Sequence, residues 1–200
     1  MESAAVTRAS SAHHDAKGAR FMFAIVLRYG AISGAVVIAV IIAGMVYADG
    51  VGGGHATSSL WFGYLIMILA LSTIFLAIRE YRNKNLGGVI KFFPAFGVGL
   101  LVAAIAGIVY VAAWETFLAV THYPFMENYT AAMIESKRAA GASAAELDAF
   151  IAEMNQAKEQ YANPLFRLPM TFIEIFPVGF MIALISATIL RNPKVLPARG

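Results

Sequence analysis

Two acidic residues and one histidine are the side chains best placed to do chemistry, because they interrupt or border long apolar stretches. Glu174 is the one acid within residues 168–190, Glu115 closes an uncharged run that starts at Phe92, and His122 follows seven residues after Glu115. On a continuous helix, Glu115 and His122 would share one stripe. Carboxylate and imidazole groups suit several divalent ions. This spacing matches no metal motif, however, and we predict no metal site.

Pro177 makes Glu174 a stronger candidate for a functional residue. A proline inside a helix removes a main-chain donor and leaves the carbonyl oxygen four residues earlier, here that of Ile173, without its hydrogen bond. Glu174 precedes Arg191 by 17 residues, about 26 Å by helical rise, which places it in the outer part of a hydrocarbon core.

Burial disfavours an ionised acid, so we expect Glu174 to be often protonated and to donate a hydrogen bond within a helix bundle. Glu115 and Glu174 could face each other. The alternative to a transport or catalytic role is that these acids pair with Arg167, His122 or a backbone donor and lock helices together.

Four apolar stretches must carry these residues. The chain has 200 residues, of which 60% are hydrophobic and 14% charged, whereas an ordinary soluble domain has about 25% charged residues. A helix needs about 20 apolar residues to cross a bilayer core, and only helices or closed barrels satisfy the main chain in lipid. We therefore predict an all-α integral membrane four-helix bundle with spans at about residues 29–48, 59–79, 93–118 and 168–190. The composition argues against a soluble enzyme and a nucleic-acid binder, and the absence of cysteine excludes disulfides and thiolate sites.

The lysines and arginines predict the orientation of the chain. They cluster before the first span, in the loop after the second span and at the C-terminus, whereas the first loop has none. Because positively charged loops stay in the cytoplasm, both termini are predicted to be cytoplasmic. Residues 1–20 show no periodic apolar face and are predicted to be a disordered tail. Residues 21–194 then form the membrane domain, and residues 195–200 a short cytoplasmic tail.

The third loop predicts an outer helical hairpin of about 40 residues, at about residues 124–163. Gly141 separates its two helices, and Ser143 with Glu146 forms a capping-box pattern at the start of the second. Apolar residues at helical spacing define the hairpin seam: Phe125, Tyr129, Met133, Leu147, Phe150, Ile151 and Met154. Such a hairpin is too small to be stable alone, so we expect the seam to pack on the membrane helices or on a partner.

Small residues in the first and third spans predict close helix contacts. Gly30 and Gly34 form a Gly-x-x-x-Gly motif, and Gly97, Gly99 and Gly107 give the third span a small-residue face. The sequence leaves open whether these contacts lie within one chain or between subunits. Besides the lipid bilayer, the expected partners are therefore a second copy of the chain or another membrane protein.

Three segments, in their order along the chain, carry a resemblance to a known family. They are GYLIMILALSTIFLAIREYRNKNLGG (residues 63–88), KFFPAFGVGLLVAAIAGIVYVAAWE (91–115) and FIEIFPVGFMIALISATILR (172–191). Together they resemble the bacterial membrane family called domain of unknown function 4199, over Tyr29 to about Lys194. The resemblance implies four spans and a bacterial inner membrane, and it implies no activity.

Three functions compete on these observations. The small size and the absence of hydrolase, metalloprotease and phosphate-loop motifs favour a non-catalytic accessory or scaffold protein that acts through helix contacts and the outer hairpin. The alternative is a proton-linked or small-solute transporter that works as an oligomer, with Glu174 as the titrating group. A membrane enzyme acting on lipid would need more polar residues at one interface. We predict no enzymatic activity, no cofactor and no nucleic-acid partner.

Overall fold

The fold is described by a computed structural model, and it is helical. Its main chain is described over residues 2–50, 60–122 and 124–198, and its side chains over residues 17–45, 63–122 and 124–198. These parts of the chain contain no strand, which confirms the all-α class. The helices are α1 (Glu2–Gly50), α2 (Leu60–Leu71), α3 (Thr73–Asn85), α4 (Phe92–Thr121), α5 (Phe125–Ala139), α6 (Ala144–Ala162) and α7 (Pro164–Leu190).

Within the residues that the structure describes, four helical stretches are long and apolar enough to cross a membrane, which confirms the predicted number of spans. They are Lys17–Met45, Gly63–Asn85, Phe92–Thr121 and Pro164–Leu190. The first two extend beyond the predicted boundaries into segments that contain lysine and arginine residues. The fourth begins earlier than predicted, because proline suits the first position of a helix and the Asn163 side chain accepts a hydrogen bond of 3.0 Å from the Leu165 amide.

Helix α1 also includes residues 2–20, the segment for which the composition predicts disorder. This stretch is rich in alanine, the strongest helix former, and it holds no proline. The helix propensity of these residues therefore explains why residues 2–20 are helical, although they have no apolar face.

The chain divides into two compact units, which we describe separately. Unit 1 comprises residues 1–110 and 175–200, and unit 2 comprises residues 111–174. Unit 1 thus contains α1, α2, α3, the greater part of α4 and the end of α7. Unit 2 contains the end of α4, α5, α6 and the beginning of α7.

Two glycines bring α1 against α4 in unit 1. A Cβ atom placed on Gly30 would lie 2.6 Å from Ile105 Cβ and 3.0 Å from the carbonyl oxygen of Val102, and one on Gly34 would meet the carbonyl oxygen of Ala106. Small residues let two main chains approach this closely. The Gly-x-x-x-Gly pattern therefore makes its contact within the chain.

Glycines also bring α4 against α7. A Cβ atom on Gly99 would lie 2.7 Å from Ala183 Cβ, and one on Gly179 would lie 2.6 Å from Ala103 Cβ. Each glycine thus packs against an alanine of the opposite helix. The contact of Gly179 was not predicted from the sequence.

The structure corrects one residue of the small-residue face predicted on α4. Gly97 has no atom outside its own helix within 4 Å of a Cβ position, whereas Gly107 is buried. On an α-helix, positions 97 and 99 point in directions about 200° apart. Both residues therefore cannot face the same neighbour, and Gly99 is the one that contacts α7.

A buried hydroxyl pair links α1 to the second span. The Ser33 and Thr73 hydroxyl oxygens lie 2.5 Å apart, and Ser33 is fully buried. Each hydroxyl carries one proton, so one of the two donates to the other. The one that accepts donates to a carbonyl oxygen of its own span, which is Tyr29 for Ser33 and Ala70 for Thr73. The second span changes from α2 to α3 at Ser72, beside this pair.

These contacts predict opposite effects for the same substitution at two glycines of the membrane-spanning helices. Gly34→Ala forces apart α1 and the α4 main chain and should cost about 1–3 kcal/mol of unfolding free energy. Gly97→Ala meets open space and should be neutral or stabilising by up to about 1 kcal/mol, because alanine is the better helix former. Thermal unfolding of both variants in detergent micelles measures the difference. Equal stability of the two variants would contradict the assigned contact.

Candidate functional site

An ion pair between α4 and α7 is the centre of the polar site in unit 2. Arg167 donates from Nε to Glu115 Oε1 at 2.6 Å and from Nη2 to Glu115 Oε2 at 2.5 Å. The pair is bidentate, the geometry in which the planar guanidinium binds a carboxylate most strongly. The two side chains are 17% and 26% exposed. Of the partners considered for Glu115 from the sequence, the structure selects Arg167.

Aromatic side chains surround this pair and complete what we name the Arg167 cluster: Trp114, Glu115, Phe125, Tyr161 and Arg167. Trp114 is buried and donates from Nε1 to the Tyr161 hydroxyl at 2.8 Å. The Arg167 guanidinium donates to the Tyr161 carbonyl oxygen at 3.2 Å and lies over its ring, 5.5 Å from the centroid. Phe125 packs on both rings, 5.0 Å from Trp114 and 5.7 Å from Tyr161 between centroids. The cluster thus ties α4, α5, α6 and α7 together.

The surroundings of Tyr161 raise its pKa above the ordinary value. Burial is the main cause, and the carboxylates of Glu174 and Glu115 act in the same direction, whereas the Trp114 hydrogen bond and the Arg167 charge oppose them. The hydroxyl therefore stays protonated at neutral pH and does not serve as a base there. Because the folded pKa is raised, this contribution to stability is present below the ordinary pKa of about 10 and is lost as the pH rises through the folded value.

The other residues of the predicted intramembrane polar site lie in different surroundings. Glu174 and Pro177 are exposed residues of α7, which continues through the proline without a break. Glu174 is therefore exposed, whereas the prediction encloses it in a bundle, although its carboxylate lies close enough to Tyr161 to raise the pKa of that hydroxyl.

His122 does not extend the stripe of Glu115. Helix α4 ends at Thr121, and His122 is exposed with a φ of 51°. The turn directs the chain away from the helix axis, so the predicted spacing of seven residues no longer places both side chains on one face. Within the side chains that the structure describes, no group of three or more histidines and acids is suited to hold a metal.

Helices α5 and α6 pack on each other at the position of the predicted hairpin and are fixed by charged caps. The Glu146 carboxylate accepts from the Ser143 amide at 2.9 Å, and the Ser143 hydroxyl accepts from the Glu146 amide. Lys158 on α6 forms an ion pair of 3.0 Å with Glu127 on α5. The Ser143 amide lowers the pKa of Glu146, and the Lys158 hydrogen bond lowers that of Glu127. Because the folded pKa values are lowered, both interactions contribute to stability above the ordinary glutamate pKa of about 4.3. These contributions are lost as the pH falls through the pKa values of Glu146 and Glu127 in the folded protein.

The hairpin seam is only partly covered. Leu147, Phe150, Ile151 and Met154 are half-buried, and α6 has no buried residue. On α5, Tyr129 and Met133 of the seam are 47% and 38% exposed. The buried residue of α5 is Thr130, whose hydroxyl donates to the Met126 carbonyl oxygen at 2.7 Å, so its polar atom is satisfied inside its own helix.

Unit 1 contains a second charged cluster, which sequence reasoning missed. Glu80 on α3 accepts from the Tyr29 hydroxyl at 2.8 Å and from Lys84 at 3.0 Å, and it forms an ion pair with Arg28. Its side chain is 14% exposed. In the sequence, only the i,i+4 spacing of Glu80 and Lys84 indicates an interaction of Glu80. Its other donors, Arg28 and Tyr29 on α1, lie about fifty residues away along the chain.

Arg82 is a fully buried charged residue of unit 1. Its burial was not predicted from the sequence. Its side chain has no exposed surface. It donates to the carbonyl oxygens of Leu190 at 3.3 Å and Val195 at 3.0 Å, and to that of Leu196. Nε donates to Asn83. The carbonyl at the C-terminal end of α7 carries partial negative charge, so main-chain dipoles compensate the guanidinium, and residues 195–196 are held rather than forming a free tail.

The four span-capable helices found among the described residues define a multi-pass helical membrane protein. The profile of the family described as Protein of unknown function (DUF4199) matches residues 28–192. The chain belongs to this family, which confirms the resemblance that its sequence carries. No curated protein and no solved structure matches the chain significantly.

The Arg167 cluster predicts a measurable coupling between two residues that are 52 positions apart. Arg167→Met leaves the Glu115 carboxylate without its bidentate partner, and Glu115→Gln removes the opposite charge. A double-mutant cycle on the unfolding free energy in detergent should give a coupling of about 1.5–3 kcal/mol, the range for hydrogen bonds to charged groups. Additive effects of the two substitutions would show that the pair does not stabilise unit 2.

Proposed function

We propose that the protein is a non-catalytic accessory or scaffold protein of the bacterial inner membrane, with both termini in the cytoplasm and α5–α6 outside. In this proposal the hairpin seam binds a partner membrane protein. The observation that carries the proposal is the exposure of Tyr129 and Met133 on α5. A pair of helices this short needs additional apolar contacts for stability, and its own seam leaves part of that surface uncovered.

The charge of the α5–α6 segment indicates the chemistry of the partner. Residues 124–163 contain more acids than bases, and several of the acids, among them Glu135, Asp148 and Glu153, are exposed. Charged groups around an apolar contact contribute mainly to the choice of partner. The fitting partner therefore presents an apolar surface bordered by lysine or arginine residues.

The state of the Arg167 cluster is consistent with a protein that performs no acid–base chemistry. Glu115 is engaged at both oxygens by Arg167, and a general base must be able to reach a substrate proton. Tyr161 holds its proton at neutral pH. These groups serve to fix four helix segments, which suits a binding surface that must keep its shape.

Photo-crosslinking in native membranes tests the scaffold proposal. A photoreactive residue at Met133 should give one discrete adduct with another protein, several-fold more abundant than the adduct from Glu135. The two positions lie about 200° apart on α5, so Glu135 is a matched control on the opposite face. An adduct of twice the mass of the chain would identify a second copy as the occupant. Equal adducts from both positions, or none, would overturn the proposal.

Proton-linked transport is the second candidate, and the position of Glu174 favours it. The residue is exposed on a helix able to span a membrane, where acids commonly mark proton or ion pathways. Under the scaffold proposal, proteoliposomes should show no proton flux above that of liposomes without protein. Flux that is lost in Glu174→Gln but retained in the control Glu159→Gln, an exposed acid of α6, would replace the scaffold with a transporter.

A further inference from the structure

Two guanidinium groups on α3 lie together without a carboxylate. Arg79 and Arg82 are three residues apart, on adjacent positions of one helical face, and their charges repel each other. No ion pair of the described side chains involves either residue. The neighbouring acid Glu80 is already engaged by Arg28, Tyr29 and Lys84.

Arg79 differs from Arg82 in having a donor without an acceptor. All three nitrogens of Arg82 donate to oxygens of the chain. The Nε atom of Arg79 is buried and has no hydrogen-bond partner, although the residue as a whole is partly exposed. Buried polar groups are nearly always hydrogen-bonded, so Arg79 lacks the acceptors that Arg82 has. An anion that approaches the exposed part of the Arg79 side chain would compensate its charge.

The surface of α3 indicates where this anion comes from. One turn before Arg79, Leu76 is 46% exposed, and Leu69 on α2 is 59% exposed. Both lie within the span Gly63–Asn85, so an apolar surface leads from the guanidinium into the membrane. A phospholipid combines an anionic phosphate with an acyl chain that would cover such a surface, whereas inorganic phosphate has only the first.

We propose that Arg79, supported by the charge of Arg82, binds the phosphate group of an anionic phospholipid whose acyl chain lies along Leu76. Phosphate oxygens are acceptors that match the planar donors of arginine. Arg82 is held by the segment after α7, so it is a positioning residue that contributes charge rather than contact. This proposal does not depend on the scaffold function, since it concerns unit 1 only.

Native mass spectrometry of the full-length protein from detergent tests the site. The chain should retain one phosphatidylglycerol molecule in preference to phosphatidylcholine, and Arg79→Gln should reduce that preference about tenfold, because the charge-assisted hydrogen bonds are lost. Lys84→Gln removes the same charge from the same helix, but Lys84 is 65% exposed and paired with Glu80, so the preference should change less than about twofold. Arg79→Lys, which keeps the charge but lacks Nε, should fall between them.

Three results would overturn the proposal. Equal loss in Arg79→Gln and Lys84→Gln would mean that lipid is attracted by overall charge and not by a site. Displacement of phosphatidylglycerol by millimolar inorganic phosphate would make a free anion the ligand. Unchanged preference in Arg79→Gln, with the helical circular dichroism of the unaltered protein, would exclude Arg79 as the binding residue.

Discussion

The close approach of α4 to its neighbours is the constraint on which unit 1 depends. Apolar side chains gain little by moving from lipid into a helix interface, so association between helices relies on van der Waals packing and interhelical hydrogen bonds. Gly30 and Gly34 bring the α1 main chain against α4, while Gly99 and Gly179 each receive an alanine across the interface of α4 and α7. The buried Ser33 hydroxyl adds a hydrogen bond from α1 to α3. A side chain at any of these glycines would have to displace a neighbouring helix.

Three charged residues of the span-capable helices, Glu80, Arg82 and Arg167, are compensated in physically different ways. Glu80 accepts from several donors, Arg167 binds a carboxylate through two hydrogen bonds, and Arg82 is surrounded by main-chain carbonyl oxygens. Each solution lowers the cost of placing charge in a medium that solvates it poorly. Side chains engaged in this way hold helices in place and have little capacity for a substrate, which is why the interactions proposed with other molecules rest elsewhere.

Those interactions rest on two surfaces that belong to different units. In unit 2, the exposed part of the hairpin seam offers apolar area bordered by acids, which suits a protein partner. In unit 1, Arg79 offers a partly exposed cation without a carboxylate partner beside a second positive charge, which suits a phosphate group. The first would give the protein its partner and the second would fix its lipid surroundings, and neither requires a catalytic group.

The sequence by itself determined the four spans, the two helices of the third loop and the cap of α6, because these depend on local composition and periodicity. Ser143 and Glu146, for example, are three residues apart and satisfy each other's amides wherever the helix lies. The tertiary structure alone decided that Gly99 and not Gly97 contacts α7, that Arg82 is fully buried, and that Thr130 rather than Met133 faces the core. These outcomes depend on the rotation of each helix about its axis and on distances between residues far apart in the chain. A periodic pattern shows that a helix has two faces, but only packing against a particular neighbour determines which atoms meet.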